Sequence, residues 1–324
     1  MAQVICYGCN EEINEKNESA EHIINNSIGG HLKSKKLICK TCNNKFGNTI
    51  DAELEQQIGM FTGLLGITKD RETNSHDYRL TTADGEVTRV GKKMKPLNKL
   101  KFKLPDREVL LFATDENYEK LKNRKQKELD QHFKTEFKET IEPPDKKIYY
   151  IGNKLTDEIG HIAFGGKPYF QSIAKMCLNY YLFKGHNIKY CKEIIQFING
   201  EDKAGIVDYF YPSNQSIHLL GEKEITHLIQ IIGDSKNKVL FAYIELFSMQ
   251  NLIVKFEMNY GGPEILDTYC YSPIDGQEIE KPIRVRLTKS HLQDLNIISD
   301  SGIHRHTEKY NRMLKIIESR QLED

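Results

Sequence analysis

The sequence has no net charge, no long apolar run and no internal repeat. Lys and Arg together number 46, as do Asp and Glu. That balance excludes a chain coated in positive charge and argues against strong, indiscriminate nucleic-acid binding, while leaving room for a local basic patch. No stretch approaches the roughly 20 apolar residues of a membrane-spanning helix, and mean hydropathy is −0.56, so no membrane partner is expected. Residues 1–9 lack a basic segment followed by a long apolar one, the pattern of a secretory signal. A cytoplasmic, reducing setting is therefore expected, in which cysteines bind metal or stay as free thiols. No low-complexity linker separates one region from another.

What is there begins with cysteine. Four of the seven form two tight pairs, Cys6/Cys9 and Cys39/Cys42, while Cys177, Cys191 and Cys270 are scattered and read as core thiols. Each Cys-x-x-Cys places two sulfurs within reach of one ion, and two such pairs make a tetrahedral four-cysteine site suited to structural zinc. The gap from Cys9 to Cys39 is longer than in common zinc ribbons, enough for a hairpin or extended loop. A unit this small buries little core, so the metal would supply much of its stability. A closed four-cysteine site has no open coordination position, so any chemistry has to come from residues between and after the pairs.

Between the pairs lies Glu21-His22, followed by Gly29-Gly30. A histidine beside a carboxylate can act as a general base near neutral pH, although an isolated Glu-His step is more often an ordinary surface or core pair. Asn43-Asn44 follows Cys42 directly, and Gly47 comes shortly after. Cys6-x-x-Cys9, Glu21-His22-Ile23-Ile24, Gly29-Gly30, Cys39-x-x-Cys42-Asn43-Asn44 and Gly47, in this order, resemble the HNH, or ββα-metal, endonucleases. The resemblance covers about the first fifty residues.

That resemblance implies a β-hairpin and a helix wrapped around a divalent ion. His22 would be the general base that activates water, and Glu21 would stand where a metal ligand precedes the base. Asn43 or Asn44 would complete the ion site; the sequence does not choose between them. Adjacent residues of a regular strand point to opposite faces, so Glu21 and His22 can share a site only if the strand bends or ends there. Oxygen ligands of this kind suit Mg2+ or Mn2+. Two departures stand out. Asn25 replaces a proline of many relatives, which should loosen the loop, and the middle Asn of the family pattern is missing, with Lys33-Ser34-Lys35-Lys36 in that region and Ser34 as a substitute pin.

Lys33, Lys35, Lys36 and Lys40 cluster around this site and could grip phosphates, with Lys33, Lys36 and Lys40 taken as the substrate-binding candidates; a solvated surface is the equal alternative. The run from Arg89 to Lys103 mixes Lys with apolar residues. It fits a nucleic-acid face or an exposed strand pair equally well. His304-Arg305-His306 reads as a surface turn, His218 and His227 as structural histidines. His31, next to Gly30, lies near the site in sequence.

The expected fold class is α+β: a zinc-stabilised ββα-metal finger, a mixed helical region and a β-rich C-terminal region, cut as 1–55, 56–205 and 206–324. A helix is predicted from Asn48, with Thr49 as its cap and Ile50, Leu54, Ile58 and Phe61 on one face. A hairpin is predicted over 78–90, a strand at 109–113, an exposed charged helix at 115–138 and short strands at 149–151 and 161–164. A core helix spans 172–183 and a second helix 191–198. Strands follow at 239–247, 252–258, 269–272 and 283–287, and a charged helix at 307–320. The function implied is a metal-dependent endonuclease acting on DNA, with a prokaryotic defence or restriction role as a family-level analogy. Residues 56–324 would bind DNA, a regulatory partner or a second copy of the chain. The alternative is a zinc-finger module that binds nucleic acid or protein without catalysis.

Overall fold

The computed structural model describes residues 3–70, 78–81, 87–90, 98–103, 108–113, 139–142, 164–212, 217–283, 285–293 and 300–322. The chain forms two compact units, one of Met1–Arg71 with Phe164–Asp324 and one of Glu72–Ala163. This division follows compactness, and its limits differ from the expected cuts after 55 and near 205.

The first unit opens on the Cys6–Cys9 turn. Asn10 adopts a left-handed conformation (φ 63°) and its N–H donates to the Cys6 carbonyl at 2.8 Å. Two short strands follow, β1 (Glu21–His22) and β2 (Lys33–Ser34), antiparallel, with Glu21 opposite Ser34 and His22 opposite Lys33. In the connection, the Asn25 side chain accepts from the Ser27 N–H at 2.9 Å and caps a 3-10 turn over Asn26–Ile28. This Asx turn pins the loop at Asn25. Gly29 has φ 88°, and a Cβ there would lie 2.5 Å from Ile67; a Cβ on Gly30 would lie 1.9 Å from the Ile24 carbonyl oxygen. Both positions are closed to larger residues.

After α1 (Lys40–Gly47), the single helix expected from Asn48 is two short ones, α2 (Ile50–Ile58) and α3 (Met60–Leu64). Asn48 and Thr49 separate α1 from α2, and Gly59 separates α2 from α3. The Thr49 hydroxyl donates back to the Lys45 carbonyl at 2.8 Å and does not cap α2. Ile50, Leu54, Ile58 and Phe61 are buried, as their spacing predicts.

In the second unit, β3 (Tyr78–Thr81) pairs antiparallel with β4 (Val87–Val90), as the hairpin signal implies. A separate sheet places β5 (Asn98–Lys103) between β6 (Glu108–Ala113) and β7 (Glu139–Glu142). The predicted helix at 115–138 and the strand at 149–151 lie outside the described residues. So does the strand at 161–164, except for Phe164, which is not in a strand.

The first unit resumes with α4 (Lys167–Phe183), the buried helix of the sequence reading, which packs against α2 and across the large sheet. That sheet contains β8 (Val207–Tyr209), β9 (His227–Asp234), β10 (Val239–Leu246), β11 (Gln250–Glu257), β12 (Ile265–Ser272) and β13 (Gln277–Glu278). Its order is β13-β12-β9-β10-β11-β8, antiparallel throughout. Strand β10 is buried along its whole length. Its Val239, Phe241 and Tyr243 join Leu228, Ile253 and Cys270 in one core. The described residues of the expected strand at 283–287 lie in no strand, although Val285 packs into that core. Cys177, Cys191 and Cys270 are buried free thiols, as expected.

Three further helices are α5 (Lys192–Ile198), α6 (Lys289–Gln293) and α7 (Asp300–Leu322). His304-Arg305-His306 lies within α7 and not in a surface turn; His306 stands edge-on to Phe164 and Tyr211. A buried ionic cluster fastens α7. Glu245, fully buried, accepts from Lys309 Nζ at 2.9 Å, from Tyr243 OH at 2.9 Å and from His218 Nε2 at 3.0 Å. Burial alone would raise the Glu245 carboxyl, but Lys309 and His218 outweigh it and hold it at about 2.

His227 ties the two parts of this unit together. Its Nε2 meets the Ile28 carbonyl at 2.9 Å and its Nδ1 accepts from the Phe247 N–H at 3.1 Å, which requires the neutral Nε2–H tautomer. Burial pushes His227 down to about 4. The unfolded chain, with a histidine near 6.5, therefore binds the extra proton first, and stability is lost as pH falls from 6.5 towards 4. From pH 7 to 5 the loss from this group is about 2 kcal/mol. Denaturant melts at the two pH values should show it, and His227→Gln should reduce the difference by that amount.

Candidate active site

The four paired cysteines converge. One sulfur from each of Cys6, Cys9, Cys39 and Cys42 lies within 4.8 Å of all the others, and Cys9 Sγ to Cys39 Sγ is 3.7 Å. A tetrahedron with Zn–S bonds of about 2.3 Å has edges of about 3.8 Å, so the residues fit zinc. The Cys39 N–H points to Cys6 Sγ at 3.3 Å, as amides do around a thiolate site. A Cβ on Gly8 would lie 2.8 Å from Cys42 Sγ, so the first turn has no room for a side chain there. Burial and crowding by the other sulfurs push the Cys9 thiol up to about 11 and Cys42 higher; a bound cation reverses that cost. Metal analysis of the purified chain should find about one zinc per chain, and Cys39→Ser should lose it. Zinc retained by Cys39→Ser would contradict the site.

Beside the zinc frame is a cavity of about 340 Å³ lined by Glu21, His22, Asn26, Asn43, Asp51 and Glu55, with Lys69 and Lys175 also in its wall. Glu21 and His22 share it because β1 is only two residues long, too short for a regular strand to send them apart. Asn43, in the first turn of α1, donates its amide to Ser19 Oγ at 2.8 Å, so its carbonyl oxygen is the end that could meet a cation. Asn44 is exposed and does not line the cavity. Lys36 and Lys40 are exposed, and neither lines the cavity. Lys35 pairs with Glu18 at 2.5 Å. Ser34 accepts from the Lys36 N–H at 3.2 Å.

Glu21 is not solvent-facing. Its Oε1 accepts from Asn179 Nδ2 at 3.0 Å and pairs with Lys175, both on α4. Lys175 also pairs with Asp51 at 2.8 Å, and Ser172 donates to Asp51 at 2.7 Å. Asn179 donates further to the His22 carbonyl at 3.2 Å and accepts from Tyr7 OH at 2.8 Å. Ser172, Lys175 and Asn179 recur at i, i+3 and i+7, one stripe of the helix. They form the polar seam of a helix that is otherwise core. Tyr7 sits between two zinc-frame residues, so the seam links the cysteine frame to the cavity. Burial raises the Glu21 carboxyl and Lys175 opposes it. Burial works against the Lys175 ammonium, but Glu21 and Asp51 outweigh it and hold it charged. One buried cation between two carboxylates leaves negative charge in the cavity. With Glu21 Oε2 and the Asn43 carbonyl as oxygen donors, the residues fit a hard divalent cation.

His22 meets Asp70 Oδ2 through Nε2 at 3.2 Å. Asp70 also pairs with His31 and with Lys33 Nζ at 2.8 Å, and its own N–H donates to Asn26 Oδ1 at 3.0 Å. Hydrogen bonds from Lys33 first, then from His22 and His31, hold its carboxyl well below the usual range.

A finger of two short strands and a helix, framed by four cysteines and flanked by a Glu–His–Asn cavity, is the ββα-metal arrangement. Residues 6–58 match the family model described as HNH endonuclease, and over that segment the resemblance seen in the sequence is borne out. No curated protein and no solved structure matches the chain. Asp51 falls within the matched segment; Asp70, Lys175 and Asn179 lie beyond it. A lysine and an asparagine on one face of an otherwise apolar helix were the signal for the last two. Asp70 carried none.

Proposed function

We propose that the chain is a metal-dependent endonuclease that hydrolyses phosphodiester bonds in DNA from the Glu21–His22–Asn43 cavity, by family analogy in a defence or restriction setting. The observation that carries this reading is that those three residues line one cavity in a finger framed by four cysteines. His22 accepts a proton from the attacking water. Asn43, fixed by the hydrogen bond its side-chain amide donates to Ser19 Oγ, and Glu21, fixed by Lys175 and Asn179, are the ligands for Mg2+ or Mn2+; Asn44 lies outside this set. Bound there, a divalent ion supplies the positive charge that neutralises the scissile phosphate and the departing oxygen. Lys69 in the cavity wall, with the surface residues Lys33, Lys36 and Lys40, contacts the phosphate backbone.

The test is incubation of supercoiled plasmid with the full chain and Mg2+ or Mn2+. Nicked and linear DNA, suppressed by chelation of the divalent ion, is expected. Salt-dependent DNA binding without cleavage under either ion would favour the non-catalytic zinc-finger module.

A further inference from the structure

Asp70 is the point where the pieces of the hairpin meet. Its carboxylate joins His22 of β1, Lys33 of β2 and His31 of the connection between them. Its N–H is tied to Asn26 in the turn before the two glycines. It lies beyond the segment that matches the nuclease family model. An ionised carboxylate only accepts hydrogen bonds, so the His22 nitrogen facing it carries a proton. That fixes the ring as the Nε2–H tautomer and puts the lone pair on Nδ1.

We infer that Asp70 is the positioning residue of the general base: it sets the tautomer and orientation of His22 and clamps β1 to β2 around it. This rests on the nuclease reading of His22. Lys33 serves the clamp through the same carboxylate, so its ammonium has two roles, one towards Asp70 and one towards a phosphate. Asp70 reaches the reaction only through His22, while its bonds to Lys33 and His31 hold the hairpin around that ring.

The experiment uses the full chain in two measurements. In proton NMR at low temperature and a fixed pH of about 8.5, above the ordinary histidine range, wild type should show a downfield His22 ring N–H. This proton is protected by its carboxylate acceptor and is assigned by its loss in His22→Gln. It should vanish in Asp70→Ala and return in Asp70→Glu. In single-turnover cleavage, Asp70→Ala should be slower by about 10- to 100-fold, the usual effect of removing such a partner. Zinc content should be unchanged, and Asp70→Glu should recover part of the rate. A ring N–H that is missing in wild type or unchanged in Asp70→Ala overturns the inference. So does a cleavage rate unaffected by Asp70→Ala, or a loss that Asp70→Glu does not relieve. If wild type does not cleave at all, the nuclease reading fails, and the NMR result alone decides the clamp.

Discussion

Replacing His22 with alanine is expected to slow phosphodiester cleavage by about 10²- to 10⁴-fold, the contribution of a positioned general base. Water is a poor nucleophile until a proton is removed, and among the described residues no other side chain in the cavity wall is a neutral base. Glu21 and Asp51 are engaged with Lys175, Glu55 with Lys69 at 3.1 Å, and Asn43 has no basic group. The fold should survive, because this strand is anchored to α4 through the Glu21 carboxylate and the His22 carbonyl, not through the His22 ring. Zinc content should also survive, because the cysteine frame stands apart from the ring. A variant that keeps its zinc and its melting profile but loses cleavage separates chemistry from structure. Asn43→Ala would confound the two, since Asn43 also holds Ser19.

The second large effect is on stability. Lys175→Met should destabilise the chain by about 3–5 kcal/mol, the usual result of removing one partner from a buried ion pair. The methionine fits the helix, but Glu21 and Asp51 are left facing each other without a cation, and Glu21 is only 4% exposed. The sign of the pH dependence identifies the cause. With Lys175 gone, the folded-state pKa of Glu21 rises further above its unfolded value, so the native state binds more protons. The deficit should shrink as pH is lowered and widen as it rises. Adding Glu21→Gln and Asp51→Asn should recover much of the loss. A deficit independent of pH would point to packing instead of charge. Chemical denaturation at several pH values distinguishes the two.

These two residues also show what a reader of the sequence can and cannot see. The cysteine frame and the Glu21-His22 step were legible because metal ligation and the family pattern impose fixed local spacing. Helix α4 was legible as core from its apolar run, yet the role of Lys175 was not, because its partner Glu21 is 154 positions away. Only the fold puts the two carboxylates on either side of it. Asn43 and Asn44 were equivalent in sequence. They separate once α1 turns one towards the cavity and the other towards solvent. Helical periodicity runs from Ile50 through Phe61 and so does not show the break between α2 and α3, which falls at Gly59. At the tip between β10 and β11, Phe247 and Ser248 both adopt positive φ (54° and 53°). Such a conformation costs about 1–3 kcal/mol per residue. No local pattern announces it. It is held by tertiary packing, with the Phe247 ring 4.6 Å from His227 and 5.7 Å from Phe61, and by the Ser248 N–H donating to the Thr226 carbonyl at 2.8 Å.

The assignment of residues 6–58 to a nuclease fold and the dependence of that fold on α4 lead to one view. The finger carries the candidate groups Glu21, His22 and Asn43, and the rest of its compact unit holds them in register. Tyr7, Glu21 and the His22 carbonyl all end on Asn179, and the Ile28 carbonyl ends on His227. The nuclease segment of this chain is therefore tied to its scaffold by buried polar contacts, which tolerate displacement poorly because each leaves an unpaired group behind.

The measurement that tests the central claim most directly is the ratio of single-turnover cleavage rates for wild type and His22→Ala. It should be made on the same supercoiled plasmid with Mg2+ or Mn2+, at protein concentrations where both bind fully and both carry equal zinc. A ratio of about 100 or more is the result predicted here. A ratio near one, with wild type cleaving, would place the chemistry somewhere other than the Glu21–His22–Asn43 cavity.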